Sequence, residues 1–470
     1  MKIVKKTGLL KKCSSIGLAA AFVLGINGCS DDSAPSTFTP FERIATLEVV
    51  KNIDGSVNYA DTYSKAQTVA DAIHLYIEKE DDVAASGFPA NWIIGGSDED
   101  PATLSDAILQ IPSIETIDPD DAESGAYKVK VMDICNSYYA KKALGATNVV
   151  TDDDTSKVAN GFIHAPTLPC EVTVYNDGEN IYVDMLNPEA IFSLFFSDVV
   201  FGPQMEDAAF ADEISKLPGA VKNELKAIVY HALDAADLSY TALSEKLGPA
   251  YTEDEILSVV ENSPYNSPYL HYGYMKNDGT EFTSAQVKEV AATIIETMAD
   301  ESGVQNGIHN PVLDSILSEG SSWRSGRELP LGLPGVGADD GAAGYKNFVI
   351  EACSPKYAKE ALATGRHHAP ALPCEITVTA IESTSGSGDY DMLVISFLEP
   401  GFMFNVLFKD AFAAMSTEEM DSYKELPVAV LDDLQKIVNY SVSLDLPAAV
   451  SGMNLIPLGE LTYDMIPVSQ

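Results

Sequence analysis

Basic residues are scarce: 29 Lys and Arg stand against 70 Asp and Glu in 470 residues, a formal charge of -41. A surface of that sign repels phosphate backbones and anionic headgroups, which excludes nucleic acid as a partner and excludes membrane contact through a basic patch. Cysteine occurs only six times. None lies in a Cys-x-x-Cys-His run, so covalent c-type haem is excluded. The glycine-rich stretch Gly332 to Gly344 has no Lys-Ser/Thr after it and is no phosphate cradle. Ser385 to Gly388 lacks the context of a nucleophile elbow. The acid runs Asp118-Pro119-Asp120-Asp121 and Asp152-Asp153-Asp154 do not fit a spaced calcium loop and read as solvated surface. No pair of carboxylates and no Ser/His/Asp arrangement marks a catalytic centre. Apolar residues are not lacking. At 46% hydrophobic the chain can pack cores, and at roughly 100 to 200 residues per domain its length predicts two to four of them.

The first segment reads as targeting. Lys2, Lys5, Lys6, Lys11 and Lys12 precede the apolar stretch Ile16 to Ile26, which is short for a bilayer span and suits a secretory signal. It ends in Ile26-Asn27-Gly28-Cys29, which resembles the bacterial lipoprotein cleavage box. That resemblance implies a signal peptide over 1–28, lipidation of Cys29 and attachment to the cell envelope through acyl chains. Ser30 stands where an Asp would favour inner-membrane retention, which points to the outer membrane. Cleavage removes five lysines and no acids, taking the formal charge to -46. Residues 29–40, with Asp31, Asp32 and two prolines, read as a lipidated tether. No later stretch approaches about 18 uninterrupted apolar residues.

The rest of the chain is organised by an internal repeat. Tyr127-Lys128 opens a run that ends at Cys135, followed by Tyr139 to Leu144 and then by His164-Ala165-Pro166-Thr167-Leu168-Pro169-Cys170-Glu171. Tyr345-Lys346 opens a run to Cys353, followed by Tyr357 to Leu362 and His368-Ala369-Pro370-Ala371-Leu372-Pro373-Cys374-Glu375. The match continues through Leu186-Asn187-Pro188 and Leu398-Glu399-Pro400, Phe192 and Phe404, Phe196 and Phe408, and Asp198 and Asp410. Leu217-Pro218 and Leu426-Pro427 then each open a helical run. Two copies of one domain are expected, over 41–250 and 271–470, with a linker at 251–270.

Within a copy, Ala66, Val69, Ala70, Ile73 and Ile77 give one face of a helix over Ser64 to Glu80; Val287, Val290, Ala291, Ile294 and Met298 do the same over Ser284 to Ala299. Strands follow at Glu171 to Tyr175 and Asn180 to Met185, joined by a turn containing Asp177-Gly178. Helices near Glu189 to Val200 and Pro218 to Leu233 complete the unit. The fold class expected is α+β: two tandem repeats, each an antiparallel sheet covered by helices.

Cys135, Leu168-Pro169-Cys170, Val174-Tyr175, Asp177-Gly178 and Leu186-Asn187-Pro188, with Cys353, Leu372-Pro373-Cys374 and Leu398-Glu399-Pro400, resemble the family called domain of unknown function 302. Copy two departs from that pattern at Glu399 and in a longer Ser/Gly loop at Ser383 to Gly388. The resemblance implies a small α+β fold that tends to pair, so that the copies would pack as an internal pseudo-dimer. It implies no activity.

Three readings of the remaining cysteines stay open. An even count in an exported chain favours disulfides, the simplest pairing being Cys135 with Cys170 and Cys353 with Cys374. His164 and His368, each six residues before the second cysteine, allow instead a copper or zinc site from His164, Cys135 and Cys170 and another from His368, Cys353 and Cys374, with Met185 or Met392 as a soft extra ligand. A redox-active dithiol is the third. Against these stands a structural role, His-Ala-Pro being a rigid turn with a hydrogen-bonded imidazole. The phenylalanine runs at 191–196 and 402–408 suit a buried helix face or an interface between copies, and alternatively a hydrophobic pocket. The expectation is an envelope-anchored binding or assembly module, without cofactor or catalysis, whose partner is another envelope protein. A thiol-redox or metal-binding role is the alternative.

Overall fold

The structure is a computed structural model that describes residues 37–79, 83, 85–88, 92–94, 109–111, 129–146, 161–168, 170–197, 208–261, 268–298, 315–318, 321, 323–331, 347–372, 374–383, 389–446 and 453–461. The signal segment with Cys29, both acid runs, the glycine-rich 332–344, Ser385 to Gly388 and Asp198 lie outside the described residues.

The first half runs β1 (Phe41–Glu48), α1 (Tyr59–Glu78), β2 (Trp92–Ile94), β3 (Leu109–Ile111), β4 (Val129–Asn136), α2 (Ser137–Ala146), a 3-10 segment (Gly161–Thr167), β5 (Cys170–Asn176), β6 (Asn180–Leu186), α3 (Pro188–Phe195), α4 (Ala208–Ala235) and β7 (Thr241–Leu247). Next come α5 (Glu253–Glu261), β8 (Tyr269–Lys276), α6 (Ser284–Met298), β9 (Arg324–Leu331), β10 (Asn347–Cys353), α7 (Pro355–Leu362), a second 3-10 segment (Arg366–Ala371), β11 (Cys374–Ile381), β12 (Met392–Leu398), α8 (Pro400–Leu407), α9 (Lys409–Ala414), α10 (Thr417–Tyr440) and β13 (Leu455–Glu460).

The fold is α+β, with two antiparallel sheets. The first has the order β7-β1-β6-β5-β4-β2, with β3 also on β4, and the second β13-β8-β12-β11-β10-β9. Every pairing in both is antiparallel. The expected linker is not loop throughout: Tyr251 pairs with Phe38, and 253–261 is helical. Nor do Pro218 and Pro427 open their helices. Both stand inside, because α4 and α10 begin about ten residues earlier.

Strand periodicity sorts the side chains into two faces. On the first sheet Met132, Ile134, Val172, Val174, Ile181 and Val183 pack against Val69, Ile73 and Ile77 of α1 and Leu225, Ile228 and Val229 of α4. On the second, Phe348, Ile350, Ile376, Val378, Ile395 and Phe397 meet Val290 and Ile294 of α6 and Leu434 and Ile437 of α10. The opposite faces are turned towards each other, where Cys135 and Ile163 cluster with Val349, Ile381, Met392 and Val394. The order of layers is therefore helices, sheet, sheet, helices.

Local chemistry explains the corners. The β5-β6 turn holds Gly178 at φ 86°, a left-handed conformation that glycine adopts without strain, and Asp177 Oδ1 accepts from the amides of Glu179 and Asn180 at 2.8 and 2.9 Å. Asn187 caps α3 by accepting from the Glu189 amide, with Pro188 next. Glu399, at the place where the first half has Asn187, does the same for α8 by accepting from the Phe402 amide ahead of Pro400's helix. The substitution preserves the cap. Asn187 also donates to Thr39 O at 2.9 Å from a buried position. Replacing Asn187 with Ala should therefore cost about 1 to 2 kcal/mol, read from the shift of the denaturant midpoint; an unchanged midpoint would deny the cap its role.

Candidate functional site

The face between the sheets is not wholly apolar. Asp133 lies opposite Glu171 in the β4-β5 register, and Glu351 lies opposite Glu375 in β10-β11. All four are buried, at 0%, 3%, 1% and 2% exposure. Those numbers decide their charge state. Burial pushes the Asp133 carboxyl up to about 7. Burial, then the proximity of Asp133, raises Glu351 well above the usual range. Glu171 and Glu375 are raised in the same way, and a hydrogen bond links the two across the sheets, which requires one of them to carry a proton. Among the described residues neither oxygen of Asp133 has a hydrogen-bond partner. An uncompensated buried charge is costly, so the folded protein favours the protonated form of the three glutamates, and of Asp133 below about pH 7.

The same periodicity places the cysteines. Cys170 lies opposite Ile134 in the register, on the face that packs under α1 and α4, whereas Cys135, one residue on, shares the inter-sheet face of Asp133. Cys374 lies opposite Ala352, so Cys353 falls on the other face. The expected disulfides Cys135–Cys170 and Cys353–Cys374 are not formed. All four are free thiols, because residues on opposite faces of adjacent strands aim their Cβ atoms apart. Burial raises the thiols of Cys135 and Cys170 far above their ordinary value and that of Cys374 to about 12, the reverse of a reactive thiolate.

The histidines of the two expected metal sets also go elsewhere. His164 Nδ1 faces Phe195 O at 3.1 Å and the Tyr269 hydroxyl at 3.3 Å, and its ring stacks on Phe196 at 4.3 Å. His368 Nδ1 meets Thr364 Oγ1 at 3.0 Å and its Nε2 meets Asp410 Oδ1 at 3.0 Å. Neither the set of Cys135, Cys170 and His164 nor that of Cys353, Cys374 and His368 is assembled. Among the described residues one group of three metal-capable donors comes together, His367, His368 and Asp410. Met185 and Met392 are packed in cores.

That trio stands beside an open cleft of about 530 Å³, lined by Arg43, Tyr175, Asp177, Tyr182 and Leu247 of the first half and by residues 362–367 of the second. Arg43 anchors its floor: Nε donates to Asp184 Oδ1 at 2.9 Å, a second nitrogen donates to the Tyr175 hydroxyl at 2.8 Å, and the guanidinium lies 3.6 Å from the centre of the Tyr182 ring. Arg366 donates to Asn176 O at 3.0 Å, tying the second 3-10 segment to the first sheet's hairpin. The repeat had matched Asp410 to Asp198 and so marked it, but the doublet His367-His368 passed unread because only its second member recurs in the first half. A smaller apolar pocket lies between Cys135, Leu168, Phe192, Phe196 and Val221. No family model matches the chain, and no curated protein matches it.

Two outcomes follow. The inter-sheet carboxyls bind protons more tightly folded than unfolded, so their stabilisation is complete below about pH 4, the unfolded value, and is lost progressively as pH rises from there through the folded values, the loss from Asp133 being complete just above about 7. Melting temperature should fall between pH 5 and 8, and Asp133→Asn should flatten that fall and raise stability at pH 8. An unaltered slope in the variant would assign the titration elsewhere. Alkylation in denaturant without reductant, read by mass spectrometry, should label Cys135, Cys170, Cys353 and Cys374, with little labelling of Cys135, Cys353 and Cys374 in the native protein. Masses short of four labels would restore the disulfides.

Proposed function

We propose that this chain is a lipid-anchored bacterial cell-envelope protein that binds rather than catalyses, built from two copies of one α+β domain, 41–250 and 271–470, of the kind called domain of unknown function 302. Residues 1–28 are its signal peptide, Cys29 carries the lipid at the outer membrane, and the copies pack as an internal pseudo-dimer. The shared strand order of the two sheets supports the duplication, as do the equivalent backbone bonds from Asn187 to Pro40 and from Glu399 to Pro268. Reciprocal packing supports the pseudo-dimer: His164 meets Tyr269 in the first strand of the second half, and His368 meets Phe41 in the first strand of the first half. Among the described residues no helix is long and apolar enough to cross a membrane.

The observation that carries binding is the cleft, whose walls come from both copies. Its volume falls within the roughly 300 to 1,000 Å³ of small-molecule sites. Arg43, Arg366 and His367 line it beside one acid, Asp177, with Arg43 already paired to Asp184; the ligand proposed is a small molecule carrying an acidic group, met first by Arg366. The thiol-redox reading finds no support in buried, high-pKa cysteines. One experiment on cells expressing the full chain and Cys29→Ser tests both parts. Palmitate label and membrane fractionation should be lost on Cys29→Ser. In thermal shifts against a panel of small carboxylates, at least one compound should raise the melting temperature, with the rise abolished by Tyr182→Ala. Label on the Cys29→Ser chain, or a panel without effect, would sink the corresponding part.

A further inference from the structure

The cleft wall contributed by the second half holds an arrangement that the binding reading uses only through His367. His367 Nε2 lies 2.9 Å from Asp410 Oδ2 and His368 Nε2 lies 3.0 Å from Oδ1, so two adjacent imidazoles converge on one carboxylate. The three donor atoms all lie within 4.8 Å of one another. We propose that His367, His368 and Asp410 bind one divalent first-row metal ion of the zinc class, with its remaining coordination positions open to the cleft.

Three observations carry this. Two imidazole nitrogens and one carboxylate oxygen form a donor set that suits zinc and its neighbours and leaves a fourth position for water or an anion. In tetrahedral coordination with zinc bonds of 2.0 to 2.2 Å, neighbouring donor atoms stand about 3.4 Å apart. The present spacings of 2.9 and 3.0 Å need open by only a few tenths of an ångström. Next, the trio has the outer support that orients metal-binding histidines. His368 is fully buried, its Nδ1 is held by Thr364 Oγ1, and its ring is wedged between Phe408 at 4.4 Å and Phe41 at 5.6 Å. His367, by contrast, keeps 24% of its side chain exposed and lines the cleft, which gives an ion a path in.

Last, the arrangement belongs to one half only. Ile163 occupies the place before His164 that His367 occupies before His368. The first half therefore cannot supply two imidazoles there, and the expected stoichiometry is one ion per chain rather than one per repeat. The inference does not depend on an organic ligand entering the cleft.

The test uses the full chain stripped with chelator, titrated with zinc alone and then dialysed for elemental analysis. One zinc per chain should be retained. His367→Ala and Asp410→Asn should each weaken binding at least tenfold, while the exposed His231→Ala leaves it unchanged. Melting of the zinc-free proteins checks that the variants fold, and His367→Ala, at a partly exposed position, is the one expected to keep the parent value. No saturable binding by the parent, or zinc retained equally by His367→Ala and the parent, would overturn the assignment. Two ions per chain would overturn the single-site stoichiometry.

Discussion

The inter-sheet face governs this structure. A sheet with helices on one side still has a second face, and here each sheet buries that face against the other. Wholly apolar strands would do this without further condition. These strands instead carry Asp133, Glu171, Glu351 and Glu375 into the junction, where all four are buried and the Glu171–Glu375 contact joins the halves through a proton. Carboxyls in such a place are tolerable only uncharged. The junction between the halves is thereby tied to proton activity in a way an apolar one is not.

The remaining features follow from how the halves meet. Each His-Ala-Pro segment leaves its own half to lie on the first strand of the other, so the buried imidazoles are set by the partner half's Tyr269 and Phe41. The phenylalanine runs accompany them: Phe192 stacks on Phe196, Phe404 on Phe408, and Phe195 meets Phe402 across the junction at 5.6 Å. At the rim, where the second 3-10 segment crosses the β5-β6 hairpin, the two surfaces no longer fill each other and the cleft opens.

Much of this was legible in the sequence where one periodicity dominated. The apolar stripe of α1 and of α6, the Asp177-Gly178 hairpin and the strand after Cys170 were read from local pattern, and the segment after Cys374 through its match to the first half. β7, whose residues Thr241 to Leu247 are mostly exposed, has no apolar alternation to read, and β8, with Tyr269, Tyr272 and Tyr274 spread over both faces, has no clear polar face to contrast. The disulfides failed on parity: a cysteine closing one strand and a cysteine opening the next look adjacent in sequence, and only the register shows them on opposite faces. Glu171 and Glu375 were invisible as buried groups because an acid in a strand reads as a solvent-facing residue, and nothing local reveals that the other face is covered by a second sheet.

Under the proposed duplication, symmetry separates structure from function. What both halves keep serves both halves: the caps at Asn187 and Glu399, the acids after each Leu-Pro-Cys, the buried His-Ala-Pro imidazole. These are requirements of folding and pairing, and their repetition needs no ligand to explain it. What one half has alone cannot be such a requirement, since the other half folds without it. His367 is of that kind, standing where the first half has Ile163, and so is Arg366, which reaches across to Asn176 O. Both lie on the same cleft wall. A polar residue that the fold does not need, placed where solvent and both halves meet, is where a binding protein built this way would carry its specificity.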